Sequence, residues 1–246
     1  GKEVMLASQS LIESESDLKT LRQIVGQDEF RVEANDMGAV RLLAEAGVTN
    51  WVAGPTLNIF NPRTLELLIA SGAGRWVVAP EIPGAELAAI RAGLVQPIET
   101  EVYAYGRLPL AFSARCFTAR HFNLQKDACE FRCLSIMDGL PLLTREGERF
   151  LTLTGGQSQP ARVHTLLADL PGLAGRAELL RISPQGAHTL EIVRLFRAVL
   201  EGRLTPAAAL DALRSAGVRC IGAVARGGTS PAATRSWRSA PDRRGR

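Results

Sequence analysis

Short apolar segments rich in β-branched and aromatic residues recur about every 20 to 25 residues, with helix-patterned stretches between them, and this rhythm leaves few folds open. The pattern predicts strands over Glu3–Ala7, Phe30–Glu33, Trp51–Ala53, Arg75–Ala79, Glu101–Tyr105, Phe150–Thr154 and Leu179–Ser183. It predicts helices over Ile12–Val25, Met37–Ala46, Pro62–Ala70, Thr189–Leu200 and Thr205–Ala216. Asp36 and Asn61 stand as N-caps, Pro62 takes the first helical position and Gly47 ends the second helix. Short apolar strands in βα alternation are what a parallel barrel needs, because both faces of each strand are buried. The expected class is α/β, a (β/α)8 TIM-barrel-like fold. An open doubly wound sheet competes with it, but no glycine-rich phosphate loop follows any strand. Seven strands are one short of eight and residue 1 lies almost directly in a strand, so the barrel is expected to be incomplete at its N-terminus. An unpaired strand edge would then invite aggregation.

Composition narrows the setting. At 246 residues the chain can bury a large core without disulfide staples. No run approaches the roughly 20 apolar residues of a membrane span, and GKEVMLAS lacks the features of a signal peptide, so a cytoplasmic location is expected. The formal net charge of +4 is misleading. Six arginines and one acid, Asp242, fall in residues 222–246, which leaves the body near −1. The phosphate-binding argument fails for that body, and no nucleic-acid partner is expected.

Polar residues gather after the strands: Glu33, Asn35, Asp36, Asn58, Asn61, Glu81, Arg107, Gln157 and Gln185. In a barrel these loops share the face on which active sites are built. Asn35, Asp36 and Asn61 read as helix caps, whereas Glu33 and Glu81 lie nearer the strand ends and are better functional candidates. The segment 106–150 is far longer than an ordinary strand-to-helix connection, and its phenylalanines and leucines are enough to pack a lobe over the barrel mouth.

Three of the four cysteines, Cys116, Cys129 and Cys133, fall in that segment. Cys129 and Cys133 are four apart, so a helix would place them on one face. Clustered thiols in a reducing compartment read as metal or redox ligands before disulfides. Zinc, with His121 as a possible fourth donor, and an iron–sulfur cluster are left near even by spacing alone. Inert buried cysteines are the third reading. His121 otherwise reads as a loop residue, His164 as part of a helical stretch and His188 as a turn residue. None has a Ser or Cys partner in a nucleophile motif, so serine-type hydrolysis has no signal. Cys220 stands alone after a helix.

At EVYAYGRLPLAFSARCFTAR and KDACEFRC the sequence resembles the collagenase-like peptidase superfamily, in its UbiV-type ubiquinone biosynthesis branch. VEANDMGAV, VAGPTLNIFN, EGERFLTLTGGQSQ and LLRISPQG extend the resemblance in the same order over residues 1–220. It implies a barrel-type fold and a [4Fe-4S] cluster on four cysteines, three of them matching Cys116, Cys129 and Cys133. The fourth is expected upstream of this chain. Cys220 matches a different, C-terminal family motif and does not replace it. The implied role is an iron-sulfur subunit that supports oxygen-independent hydroxylation in anaerobic ubiquinone biosynthesis. A UbiU-type sister subunit in a heterodimer and a lipid-binding accessory protein are the implied partners. Arg107, Arg115, Arg120 and Lys126 flank the thiols. Arg115 reads equally as a stabiliser of an anionic cluster or carboxylate-bearing donor and as a surface charge; the others read as surface charges. A zinc-stabilised binding protein and a peptidase of the superfamily are the alternative functions.

The expected organisation is one incomplete barrel-like domain over 1–220, with the cluster-binding loop at 106–150, and a tail over 221–246. That tail has the composition of a disordered segment. Codons for Val224–Gly227 can also be chosen that give Trp-His-Gly one base later, like the family's ending, so a frameshift near Cys220 is the other reading.

Overall fold

The computed structural model describes residues 2–125 and 128–221. The expected tail thus lies outside the described residues, apart from Ile221, as does Lys126. Strands β1 (Met5–Ala7), β2 (Arg31–Ala34), β3 (Trp51–Ala53), β4 (Ala73–Val77) and β5 (Glu99–Gly106) pair in sequence order, all parallel. Helices α1 (Glu15–Val25), α2 (Met37–Glu45), α3 (Pro62–Ala70) and α4 (Gly84–Ala92) connect them. Beyond β5 the sheet continues through β11 (Leu179–Ile182), parallel to it, and β10 (Val163–Thr165), antiparallel to its last residues. The short β12 (Cys220–Ile221) pairs with β10. The result is a mixed α/β architecture whose main sheet curls into a half-barrel.

The helices form where local chemistry caps them. Ser14 accepts the Asp17 amide and Asp17 accepts the Ser14 amide, a capping box that starts α1 three residues later than apolar spacing alone predicts. Asp36 caps α2 and Asn61 caps α3. The sequence gives no helix over Gly84–Ala92, because Pro83 offers no side-chain cap and the apolar spacing there is weak.

One face of the sheet is apolar and carries Val32, Ala34, Trp51, Ala53, Trp76, Val78, Val102 and Ala104. Leu21, Leu43, Leu65, Leu87 and Ile90 from α1 to α4 close over it in one continuous core. Helices α7 (Thr189–Leu200) and α8 (Pro206–Ser215) extend that core through Ile192, Phe196 and Leu213, with Phe196 edge-on to Tyr105 at 6.2 Å.

Two expectations are corrected. Phe150–Thr154 is not a strand of the main sheet: as β8 (Arg149–Thr154) it belongs to a separate antiparallel sheet ordered β6–β9–β8–β7, with β6 at Ala111–Phe112, β7 at Leu140–Leu143 and β9 at Gln157–Pro160. The reason is the two-residue Gly155–Gly156 turn, which allows only antiparallel return. His164 is not helical: it sits in β10.

Leu43 is wholly buried, whereas Leu67 is 70% exposed. Leu43→Ala is therefore expected to cost about 2–5 kcal/mol in urea unfolding, and Leu67→Ala to stay within about 0.5 kcal/mol of the parent.

Candidate functional site

The second face of the curled sheet is charged. On β2, β4, β5 and β11 the alternation that sends apolar residues to the helices sends Arg31 and Glu33, Arg75, Glu99 and Glu101, and Arg181 to the concave side. Arg181 spans it: Nη2 donates to Glu33 Oε2 and Nε to Glu101 Oε1, each at 2.5 Å, joining positions 148 and 80 residues apart in the chain. Arg75 donates to Glu99 at 2.6 Å and to Glu3 at 2.8 Å. Its Nη1 lies 3.7 Å from Glu101 Oε2, a charge contact without a hydrogen bond, and that oxygen accepts no hydrogen bond among the described residues. Burial opposes the charge on Arg181, but Glu33 and Glu101 outweigh it and the guanidinium's pKa is raised. The Arg75 and Arg31 guanidinia hold the Glu3 carboxyl below its ordinary range.

Glu33, a sequence candidate, is therefore a buried member of this network. Asn35 does not cap α2. It donates to Glu33 Oε1 at 3.0 Å and to the Ser8 carbonyl at 3.3 Å, and accepts from Thr56 at 3.2 Å, which fixes the carboxylate. Gly54 is needed for this packing, since a Cβ there would lie 2.1 Å from Asn35 Oδ1.

Strand β5 ends at Gly106, whose φ of +129° and contact with Ser183 and Tyr103 leave no room for a side chain. The chain then leaves the main sheet for the lobe that carries the thiols. Tyr103 Oη donates to the Arg107 carbonyl at 3.0 Å, and Arg107 Nη1 donates to the Asp138 carbonyl at 3.1 Å, which ties β5 to the lobe. Cys116 is the N-cap of α5 (Phe117–His121), and its Sγ accepts the Ala119 amide at 3.5 Å. Cys133 sits in a 3-10 turn, Arg132–Ser135, that packs against α5, with the Arg132 guanidinium 5.6 Å from the Phe122 ring centroid. Cys129 and Cys133 do not stack on one helix face: left-handed backbone at Glu130 and Phe131, with φ of +47° and +51°, breaks any helix between them. Such backbone in non-glycine residues is costly and concentrates at functional sites.

All three thiols are free and partly exposed, so the donor set has the soft chemistry that zinc or an iron–sulfur cluster takes. Among the described residues no three His, Cys, Asp or Glu side chains gather as a metal-binding group. His121 stacks edge-on to Phe122 at 4.9 Å. Cys220 is half-buried in β12, where burial pushes its thiol pKa up.

Sequence reasoning missed a third feature. His164 is 5% exposed, its ring 6.4 Å from that of Tyr103, and its Nδ1 has no hydrogen-bond partner among the described residues. Burial pushes the imidazole pKa below its ordinary value, against weaker opposing pulls from the Tyr103 carbonyl and Asp169. Burial likewise pushes the Tyr105 phenol up to about 12.

Residues 1–137 match the family model of peptidase family U32. This stretch includes Glu33, Glu101 and the three clustered cysteines. No solved structure matches the chain. Among the described residues no helix is long and apolar enough to cross a membrane.

Removing the Arg181 fork leaves buried Glu33 with the neutral Asn35 amide and buried Glu101 with the 3.7 Å charge contact to Arg75, so Arg181→Ala is expected to cost about 3–5 kcal/mol in denaturant unfolding. His164 binds a proton less readily folded than unfolded. Its contribution to stability is thus full above the unfolded pKa of about 6.5 and is lost as pH falls toward the lower folded value. His164→Gln is expected to flatten the stability profile in that acid window, as read by thermal melts across pH.

Proposed function

Because the chain belongs to peptidase family U32, we propose that it is an iron-sulfur subunit supporting oxygen-independent hydroxylation in ubiquinone biosynthesis, acting with a UbiU-type sister subunit. The observation that carries the reading is the placement of Cys116, Cys129 and Cys133 on one lobe, held to the end of β5 by Tyr103 and Arg107, inside the family-matched stretch. Cys116, Cys129 and Cys133 would serve as three of the thiolate ligands of a [4Fe-4S] cluster, which when bound supplies electron transfer or an accessible Lewis-acidic iron. The thiols must lose their protons to ligate. Arg115, exposed two residues after Ser113 and bonded to it through its amide, is positioned to lend positive charge beside Cys116.

Phe131, Leu134 and Met137 are each more than 70% exposed on this lobe. A sister subunit seated on them would exclude water from the thiolates. The curled sheet reads as part of a TIM-barrel-type enclosure, and the working compartment as the cytoplasm, with a lipid-binding accessory protein delivering the substrate.

The family's name favours a second reading, hydrolysis of peptide bonds. Peptide cleavage by the metal-free protein, abolished by no cysteine substitution, would support it over the first. Purified without oxygen, the protein is expected to be brown, with iron and acid-labile sulfide in equal amounts. Cys116→Ser, Cys129→Ser and Cys133→Ser are each expected to lose most of both. A colourless protein containing zinc would overturn the assignment.

A further inference from the structure

A cavity of about 530 Å³ lies between the end of β4, the middle of β5, the start of α4 and the short helix α6 (Leu170–Leu173). The volume is that of a small-molecule site. Its walls are mainly apolar, with Val78, Ile82, Leu87, Val102, Leu166 and Leu173 among them, and none of the three clustered cysteines lines it.

Its polar groups stand at different places. Helix α4 starts after Pro83 with no side-chain cap, and Gly84 and Ala85, whose amides belong to the unbonded first turn, line the cavity. Arg176 is beside them: a Cβ on Gly84 would lie 3.8 Å from Nη1. The Arg176 guanidinium has no ion pair or hydrogen bond among the described residues, while Arg91 Nη1 donates to the Arg176 carbonyl at 3.0 Å and so fixes its backbone. A helix N-terminus and a free guanidinium together favour one anionic group. On the strand side the cavity is lined by His164, buried and with Nδ1 unsatisfied. A buried imidazole kept neutral by burial is suited to a hydroxyl or carbonyl, not to a second charge. Tyr103, also on the wall, already spends its hydroxyl on Arg107.

Two carboxylates, Glu81 and Asp169, also line the cavity. They leave Arg176 free, and they would repel any further negative charge on a guest. We propose that this cavity binds a small monocarboxylate with an apolar body, the carboxylate at Arg176 and the α4 N-terminus, the body among the aliphatic side chains, and a hydroxyl or carbonyl at His164. A second negative charge on the guest is disfavoured by Glu81 and Asp169.

Calorimetric titration of the full chain with 4-hydroxyphenylacetate tests this. Saturable one-to-one binding is expected, and Arg176→Gln is expected to weaken it by about tenfold or more, since a charge-assisted hydrogen bond is lost. Arg176→Gln is expected to leave binding of the uncharged 4-hydroxyphenethyl alcohol unchanged. Phenylacetate, which lacks the hydroxyl, is expected to bind the parent protein more weakly and to be insensitive to His164→Gln. Substituting Cys116 by Ser is expected to change none of these values, which separates this site from the cluster reading. Absence of saturable binding to the parent protein, or equal affinity in Arg176→Gln, would overturn the proposal. If His164→Gln does not fold, the comparison of the two acids on the parent protein decides the role of the imidazole.

Discussion

The fork of Arg181 onto Glu33 and Glu101 is the contact on which the curl of the main sheet depends. A flat sheet would separate β2 from β11 by the strands between them, and the twist of consecutive parallel strands brings them back within reach of one side chain. Buried ion pairs are weak sources of stability, because desolvation opposes the Coulomb attraction. Their geometry is demanding, however, and a guanidinium that must meet two carboxylates at once admits few arrangements of the strands that carry them. The apolar core on the opposite face supplies the stability, and the charged face specifies the shape.

The same division explains how the lobe is attached. Strand β5 is the longest strand of the main sheet, and its residues serve three purposes in turn. Glu99 and Glu101 complete the charge network, Val102 and Ala104 pack beneath the helices, and Tyr103 and Gly106 turn the chain out toward the thiols. A change in the register of β5 would therefore disturb the network and the cysteine lobe together. The lobe itself has a small antiparallel sheet and little buried apolar surface, so its conformation depends on tethers such as Arg107 to Asp138.

Much of this was legible in the residues. Trp51–Ala53, Pro62–Ala70 and Thr189–Leu200 fold as their patterning predicts, because each combines a local start signal or β-branched run with an unambiguous period. The departures have local causes too. A proline N-cap hid α4, a glycine pair sent Phe150–Thr154 into a different sheet, and His164 lies in a strand too short to show alternation. The thiols were visible as a cluster in sequence. That Glu130 and Phe131 adopt left-handed backbone, so that Cys129 and Cys133 are not stacked on one turn, was not visible, since neither residue type favours that conformation.

By itself the sequence determined the α/β class, the order of the first five parallel strands, the caps of α2 and α3 and the concentration of soft sulfur donors in one segment, because each is written in residues close together in the chain. Only the tertiary structure decided which polar groups meet. Glu33 and Arg181 are 148 residues apart, and Arg176 reaches the start of α4 from the far side of the lobe insertion. Such pairings follow from how far a twisted sheet curls and where a helix end is left uncapped, and no local pattern carries that information.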